Sequence, residues 1–158
     1  MPSLTLRPMT DTEFQDWRAH LDRAFADAKI EAGTWDSGEA LGLAREGNDA
    51  LLPQGLSTPG HLLLKGVLDD GTPVGQVWIG LGHPRGVLGC AYLYDIEISE
   101  SHRGSGLGRA LVAATEEAAR SAGATALELN VFGTNTIAIA LYSSAGFSVI
   151  TQQMRKTL

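Results

Sequence analysis

The sequence predicts one mixed α/β (α+β) domain that covers residues 1–158. A chain of this length can bury a substantial core as a single domain. The turn signal Asp69-Asp70-Gly71 predicts an antiparallel hairpin in the first part of the chain. The second part predicts the order strand, helix, strand, helix, which favours a right-handed parallel crossover. We therefore expect a mixed, mostly antiparallel sheet that contains one parallel strand pair.

The first half of the chain predicts strands that flank two helices. Thr10 or Asp11 can cap the first helix, and an apolar stripe recurs behind it at helical spacing, at Phe14, Trp17, Leu21 and Phe25. The expected order is a strand at 4–7, a helix towards Gly33, a helix at roughly 37–50, and strands at 61–68 and 74–81.

The second half predicts two helices that each end at a glycine, the residue most often found just past a helix C-terminus. These glycines are Gly123 and Gly146. The expected order is a strand at 87–98, a helix at 107–122, a strand at 125–132, a helix at roughly 136–145, and closing strands at 147–150 and 153–156.

The charge distribution argues against a nucleic-acid partner. The net charge is −6, and residues 11–50 alone hold ten acidic and four basic residues. Nucleic-acid binding needs a basic patch, which this balance does not supply. The acidic segment is compatible with a cationic partner, although the same residues would also serve as solvated helix faces.

Several features exclude other classes of protein. No apolar run has the length of a membrane span, and the N-terminus does not resemble a signal peptide, so no membrane partner and a cytoplasmic location are expected. The single cysteine, Cys90, cannot form an internal disulfide and is expected to be a small buried residue. His20, His61, His83 and His102 show no metal-ligand spacing, so no metal is expected.

The most informative segment is the glycine run at residues 103–109, between a predicted strand and a predicted helix. Backbone N–H groups at such a positive helix end favour phosphate. The Lys-Ser/Thr of a Walker loop is missing, because Arg109-Ala110 follows Gly108. A dinucleotide fingerprint counted from Gly104 fails by one residue, at Arg109. The run alone therefore does not identify its phosphate ligand.

A wider pattern resembles the GNAT superfamily of acyl-CoA-dependent N-acyltransferases. The run Arg103-x-x-Gly106-x-Gly108 is similar to the superfamily's pyrophosphate loop, and it is followed in order by Asn135-x-x-Ala138-x-x-Leu141-Tyr142-x-x-x-Gly146-Phe147. The resemblance is strong over residues 87–158 and looser before them. It implies the GNAT fold, in which helices cover both faces of the sheet and the central parallel strand pair splays apart.

The resemblance also implies where acetyl-CoA, the expected co-substrate, would bind. The cofactor arm would pair with the strand at Ile96, Glu97 and Ile98, where a backbone N–H near Ile98 would polarise the thioester carbonyl. Asn135 would contact the arm and can also cap the following helix. The pyrophosphate would lie on the backbone of the loop formed by Arg103, Gly104, Ser105, Gly106, Leu107, Gly108 and Arg109.

The resemblance assigns the catalytic roles less completely. Tyr142 matches the usual general acid, which protonates the departing thiolate. Asn130 stands where several relatives carry a glutamate or histidine base, and an amide cannot accept a proton at neutral pH. The base is therefore expected to be Glu97, with Asp95 or a water held near Asn130 as alternatives. Alternation along the strand places Asp95 and Glu97 on one face, although a β-bulge, common in this strand of the superfamily, can change that alternation.

The leading hypothesis is an enzyme that transfers an acetyl group from acetyl-CoA to a primary amine by direct attack in a ternary complex. Its acceptor would be a small-molecule or peptide amine, and the acidic residues at 11–50 weakly favour a cationic one. A homodimer is compatible with the resemblance. The alternative hypothesis is a non-catalytic acyl-CoA-binding sensor or regulatory module, which Asn130 in place of an ionisable residue would support.

Overall fold

A computed structural model describes residues 2–158. Within this range, four α-helices and five strands form the fold, with short 3₁₀ helices at Gly55–Ser57 and Glu100–His102. In chain order they are β1 (Leu4–Pro8), α1 (Asp11–Glu31), α2 (Ala40–Leu51), β2 (His61–Leu68), β3 (Pro73–Gly80), β4 (Cys90–Ile98), α3 (Leu107–Ser121), β5 (Ala126–Leu129) and α4 (Thr136–Ser144).

The strands form one mixed sheet in the order β1-β2-β3-β4-β5. The first four pair antiparallel, and β4 pairs parallel with β5. Helix α3 connects the parallel pair, so the predicted crossover is confirmed. The parallel pairing is short, because it begins at Cys90↔Ala126 and ends at Leu93↔Leu129. Strand β4 therefore continues beyond its partner, as expected for a splayed pair.

Helices cover both faces of the sheet. Helix α1 packs Phe14 and Trp17 against Leu63 and Trp78, in a core cluster that also contains Met9 and Leu52. Helix α3 covers the opposite face, where the fully buried Leu111 lies against residues of β3 and β4. Phe14 and Trp17 of the predicted apolar stripe thus fix α1 across β2 and β3, whereas Phe25 of the same stripe is 37% exposed and packs against Trp35.

The N-terminus of α1 is held by a capping box, a reciprocal side-chain to backbone pair. Thr10 Oγ1 accepts a hydrogen bond from the Glu13 backbone N–H at 3.2 Å, and Glu13 accepts one from the Thr10 N–H at 2.9 Å. Arg7 also donates to both carboxylate oxygens of Glu13. Of the two caps considered from the sequence, Thr10 is the one used.

The end of the chain differs from the prediction. The closing strands expected at 147–150 and 153–156 are wrong for the part of the chain that the structure describes. Val149 is 71% exposed and Ile150 is 67% exposed, so this segment buries little of the apolar area that would stabilise a strand. Strand β5 also ends at Leu129, earlier than the expected residue 132.

Two other boundaries also shift. Strand β4 begins at Cys90 rather than at residue 87, because Gly86 and Gly89 adopt positive φ in the preceding turns. Helix α2 begins at Ala40, after a turn in which the Asp36 carboxylate accepts the Gly38 N–H at 2.9 Å.

Among residues 2–158, no helix combines the length and apolar character needed to cross a membrane.

Candidate functional site

A β-bulge in β4 shapes the centre of the sheet. Ile79 pairs with Leu93 and its neighbour Trp78 pairs with Asp95, so Tyr94 is the additional residue on β4. Beyond the bulge, Asp95 and Glu97 both face α1, where they contact Trp17 and His20 respectively. The bulge predicted from the resemblance and the shared face of the two acids are both present.

A cleft opens where β4 and β5 separate. Its volume is about 170 Å³, and residues of β4, the segment after β5, and α4 line it. Because the pairing with β5 ends at Leu93, residues 94–98 of β4 pair only with β3 and keep one free edge. An extended, amide-rich ligand can bind such an edge as an additional strand. The lining residues are Leu93, Tyr94, Asp95, Ile96, Leu129, Asn130, Val131, Phe132, Asn135 and Tyr142.

The glycine loop lies between the end of β4 and the first turn of α3. Gly104 and Gly106 adopt φ values of +76° and +80°, which side-chain-bearing residues rarely adopt. A Cβ added at either position would meet no other atom within 4 Å, so the space beside both is open. Gly106 is the N-cap of α3, and no side chain caps this helix end. The first N–H groups of α3 are therefore available to an anion.

Other residues of the loop hold it in place rather than point into it. Ser105 Oγ donates to the His102 carbonyl at 2.6 Å, and Leu107 is buried at the start of α3. Arg109 Nη2 donates to Ser144 Oγ at 3.1 Å and so links α3 to α4. Gly108 faces α4, since a Cβ there would lie 3.4 Å from Leu141 Cδ2, at van der Waals contact.

Helix α4 brings two predicted residues to the cleft. Asn135 Oδ1 accepts the Ala138 N–H at 3.2 Å, so Asn135 is the expected N-cap, and it also lines the cleft. Tyr142 lies two turns later, with its ring centroid 5.7 Å from that of Phe147. Burial, and then the negative charge of Asp95, raises the pKa of the Tyr142 hydroxyl. Tyr142 therefore keeps its proton at neutral pH and can donate it.

Asp95 is the acid that faces the cleft. Burial raises the pKa of its carboxyl to about 6, with a smaller upward contribution from Glu97. Trp17 opposes this shift, because its Nε1–H donates to Asp95 Oδ2 at 2.8 Å. A carboxyl with this pKa is ionised at neutral pH yet basic enough to accept a proton, as general bases require.

Glu97 lies outside the residues that line the cleft, and both of its oxygens are engaged. Oε1 accepts from Arg103 Nη2 at 2.8 Å, while Oε2 lies 3.1 Å from both His20 Nε2 and Gln76 Nε2. Arg103 also donates from Nε to the carbonyl of Ile98 at 3.1 Å. These contacts tie the start of the glycine loop to the end of β4.

The fold thus brings together only part of the predicted set. Ile96, Asn130, Asn135 and Tyr142 line one cleft, whereas Glu97 and Ile98 lie at the end of β4 beside the glycine loop.

Trp17 was interpreted from the sequence as an apolar core residue, and its contact with Asp95 was missed. The available signal is that a buried indole N–H needs an acceptor, and an acid on a neighbouring strand supplies one.

Comparison with known proteins agrees with this geometry. The model of the acetyltransferase (GNAT) family matches residues 14–147. The uncharacterised N-acetyltransferase YycN of Bacillus subtilis (strain 168) is 35% identical over 156 residues, which cover 99% of both chains. The uncharacterised N-acetyltransferase YdgE of the same organism is 31% identical over 158 residues, again with 99% of both chains covered.

The solved structures agree with the relatives. The crystal structure of YycN superposes with a TM-score of 0.89 at 35% identity and covers 99% of both chains. An acetyltransferase-type protein of Pyrococcus furiosus has a TM-score of 0.68 at 24% identity over 99% of this chain and 100% of that one, which shows the shared fold. The splayed β4–β5 pair, the glycine loop before α3 and these relatives together place the chain in the GNAT family of acetyltransferases.

Proposed function

We propose that the protein transfers an acetyl group from acetyl-CoA to a primary amine by direct attack in a ternary complex. The observation that carries this proposal is that Asp95 and Tyr142 line the same cleft, one ionised and one protonated at neutral pH. Groups of these two kinds are what amine acylation needs, since the amine loses a proton and the thiolate gains one.

The donor would lie along β4 and the glycine loop. Its pyrophosphate would accept hydrogen bonds from the backbone of residues 104–109, where Gly104 and Gly106 leave the space open. Its pantetheine arm would pair with the free edge of β4 at residues 96–98. Asn135, which lines the cleft, would contact the arm through the polar atoms that its capping contact leaves free.

We assign the general base to Asp95 rather than to Glu97. Asp95 faces the cleft, whereas the two oxygens of Glu97 are held by Arg103, His20 and Gln76. Asn130 also lines the cleft and would orient the amine or a water through its amide. In the reaction, the new C–N bond forms as the amine attacks the thioester carbon, and Asp95 accepts the amine proton.

Tyr142 would complete the reaction as the general acid. The C–S bond breaks, and the Tyr142 hydroxyl donates a proton to the departing thiolate. A backbone N–H near Ile98 would polarise the thioester carbonyl. The lining residues of the cleft include the acid Asp95 and no basic residue, so the cleft favours an acceptor that carries positive charge before it is deprotonated.

Steady-state kinetics over a panel of amines, with detection of the free thiol, test this function. We expect Tyr142→Phe and Asp95→Asn each to lower kcat by roughly 10²- to 10⁴-fold while the Kd of acetyl-CoA stays close to that of the wild type. Tyr92→Phe is the matched control, because Tyr92 lies on β4 outside the residues that line the cleft.

Two results would contradict the proposal. Unchanged turnover in Tyr142→Phe would remove the assigned acid. Tight acetyl-CoA binding without amine-dependent thiol release on any amine would instead favour the non-catalytic sensor.

A further inference from the structure

A second cluster of reactive side chains lies at the other end of the β4–β5 pair. His83 is in the loop before β4, Cys90 begins β4 and Glu128 is on β5. His83 Nε2, Cys90 Sγ and a Glu128 carboxylate oxygen all lie within 4.8 Å of one another. None of these residues lines the cleft that contains Asp95 and Tyr142. The proposed acetyl transfer therefore does not use this cluster.

The distances within the cluster are close to those between ligands of one metal ion. Glu128 Oε2 lies 3.0 Å from His83 Nε2 and 3.8 Å from Cys90 Sγ. With metal–ligand bonds of about 2.0–2.3 Å, the ligand atoms of a tetrahedral zinc site lie roughly 3.3–3.7 Å apart. Small rotations of the side chains would therefore bring all three atoms to one ion.

His83 supplies an independent indication of a ligand. Its side chain is 0% exposed, and its Nε2 is buried without a hydrogen-bond partner of acceptable geometry. Glu128 Oε2 lies 3.0 Å from this nitrogen, but the pair does not form a hydrogen bond. A buried polar atom without a partner is costly. A metal ion between the three side chains would satisfy it.

The remaining contacts of the cluster define the proton positions. His83 Nδ1 accepts the Arg85 backbone N–H at 3.0 Å, so the proton of the neutral ring is on Nε2. The Arg85 guanidinium contacts Glu128 Oε1, whereas Oε2 is the oxygen near His83 and Cys90. Burial and the charge of Glu128 raise the pKa of the Cys90 thiol, and Cys90 Sγ also lies 3.4 Å from the Ala91 carbonyl.

We propose that His83 Nε2, Cys90 Sγ and Glu128 Oε2 form a binding site for a divalent transition-metal ion, with Zn²⁺ as the ion that this nitrogen, sulfur and oxygen set best fits. On binding, the Cys90 thiol releases its proton to solvent. The His83 proton moves from Nε2 to Nδ1, which gives up the Arg85 N–H. Arg85 then orients Glu128 through its second oxygen, and water fills the fourth position.

A metal ion bound at this site would link the β3–β4 loop to the parallel strand pair. Glu128 opposes Tyr92 in the parallel register, and His83 packs edge-on against Tyr92 with ring centroids 5.5 Å apart. Asn130 follows Glu128 by two residues and lines the cleft. A bound ion would therefore stabilise the strands just before they separate, and we expect its effect on the free energy of unfolding rather than on the chemical step.

Cobalt titration of the full chain, after chelator treatment, tests the proposal directly. Co²⁺ replaces Zn²⁺ in such sites and gives a thiolate-to-cobalt charge-transfer absorption. We expect saturation at one ion per chain, loss of the charge-transfer band in Cys90→Ser, and at least roughly tenfold weaker binding in His83→Gln and Glu128→Gln. His102→Gln is the matched control, because His102 lies in the turn that follows the C-terminal end of β4, whereas Cys90 is at the N-terminal end of that strand.

Thermal unfolding separates binding from misfolding. Zn²⁺ should raise the Tm of the wild type and of His102→Gln, and a chelator should reverse the increase. Metal-free Cys90→Ser should unfold close to the metal-free wild type but gain nothing from Zn²⁺. The proposal is overturned if the wild type shows no charge-transfer band, or if Cys90→Ser and His83→Gln bind Co²⁺ as tightly as the wild type.

Discussion

Trp17 Nε1 donates a 2.8 Å hydrogen bond to Oδ2 of Asp95, so helix α1 fixes the carboxylate that faces the cleft between β4 and β5. The indole is 3% exposed and packs edge-on against Trp78, which holds the donor in one orientation. This contact favours the ionised carboxylate and opposes the effect of burial on its pKa. A residue on a different element of the fold therefore limits how far burial raises the basicity of the proposed general base.

Replacing the donor should move the pH dependence of catalysis. In Trp17→Phe the ionised form of Asp95 loses a hydrogen bond, so the pKa of Asp95 should rise further above about 6. The acidic limb of the pH profile of kcat/KM should then shift to higher pH by roughly one unit. One pKa unit corresponds to the free energy that a hydrogen bond to a charged group contributes. The measurement is a pH–rate profile on protein shown to be folded by circular dichroism.

Trp35→Phe provides the comparison for this shift. Trp35 packs against Phe25 with ring centroids 5.3 Å apart and belongs to the cluster between α1 and α2. Its replacement should leave the acidic limb in place. Equal profiles for wild type and Trp17→Phe would remove Trp17 from the control of Asp95.

The stability of Asp95→Asn should depend on pH with a defined sign. Burial raises the pKa of Asp95 from 3.8 to about 6, so the folded state binds this proton more tightly than the unfolded state. The stabilisation from proton binding is present below about pH 4 and is lost as pH rises through about 6. At pH 8 the wild type therefore carries a buried charge, which the variant lacks.

Urea unfolding at pH 4 and pH 8 measures this difference. We expect Asp95→Asn to be more stable than the wild type by about 2 kcal/mol at pH 8, with the gain much reduced at pH 4. Asp70→Asn should change stability with pH in the opposite direction. Its contacts with Thr72 lower the pKa of that exposed carboxyl, so the native charge is favourable at pH 8. If Asp95→Asn is instead destabilised only at pH 8, the assigned pKa shift of Asp95 is wrong.

The sequence predicted the parallel crossover, the glycine loop and the Asn135–Tyr142 helix because each depends on local spacing. The choice between Asp95 and Glu97 was less accessible, because it depends on long-range contacts. Trp17 lies 78 residues before Asp95 in the chain, and His20 lies 77 residues before Glu97. No local pattern indicates which carboxylate meets Trp17 and which one meets Arg103.

Long separation also explains why the cluster at His83, Cys90 and Glu128 was not predicted. Metal ligands are recognised in a sequence when two of them share a turn or a helix face. Here the β3–β4 loop, the first residue of β4 and the middle of β5 each supply one ligand atom. The parallel register, with Tyr92 opposite Glu128, brings the three together. The closing strands failed for a different reason, since their pattern was local but Val149 and Ile150 stay exposed.

Glu97 should affect cofactor binding more than proton transfer. Its contact with Arg103 holds the first residue of the glycine loop against the end of β4. In Glu97→Gln we expect the KM for acetyl-CoA to rise roughly three- to tenfold, because an exposed ion pair contributes up to about 1 kcal/mol. The acidic limb of the pH–rate profile should remain but move slightly to lower pH, because the charge of Glu97 raises the pKa of Asp95. A collapse of kcat with loss of that limb would return the base role to Glu97.

The partner residue gives a second measurement of the same contact. Arg103→Gln should raise the KM for acetyl-CoA by a similar factor, and the double variant should add little to either single change. Strictly additive effects would mean that Glu97 and Arg103 act on the cofactor separately.

Gly106 should be required for acetyl-CoA binding beyond its effect on stability. Its φ of +80° strains any side-chain-bearing residue, and its position at the N-cap of α3 directs the first N–H groups of the helix. Gly71, in the β2–β3 hairpin, has a φ of +85° and equally open surroundings, so it matches Gly106 in strain but lies outside the loop. Alanine at either position should lower the free energy of unfolding by about 1 kcal/mol. Only Gly106→Ala should weaken acetyl-CoA binding in calorimetry, and equal Kd values for the two variants would mean that the pyrophosphate binds elsewhere.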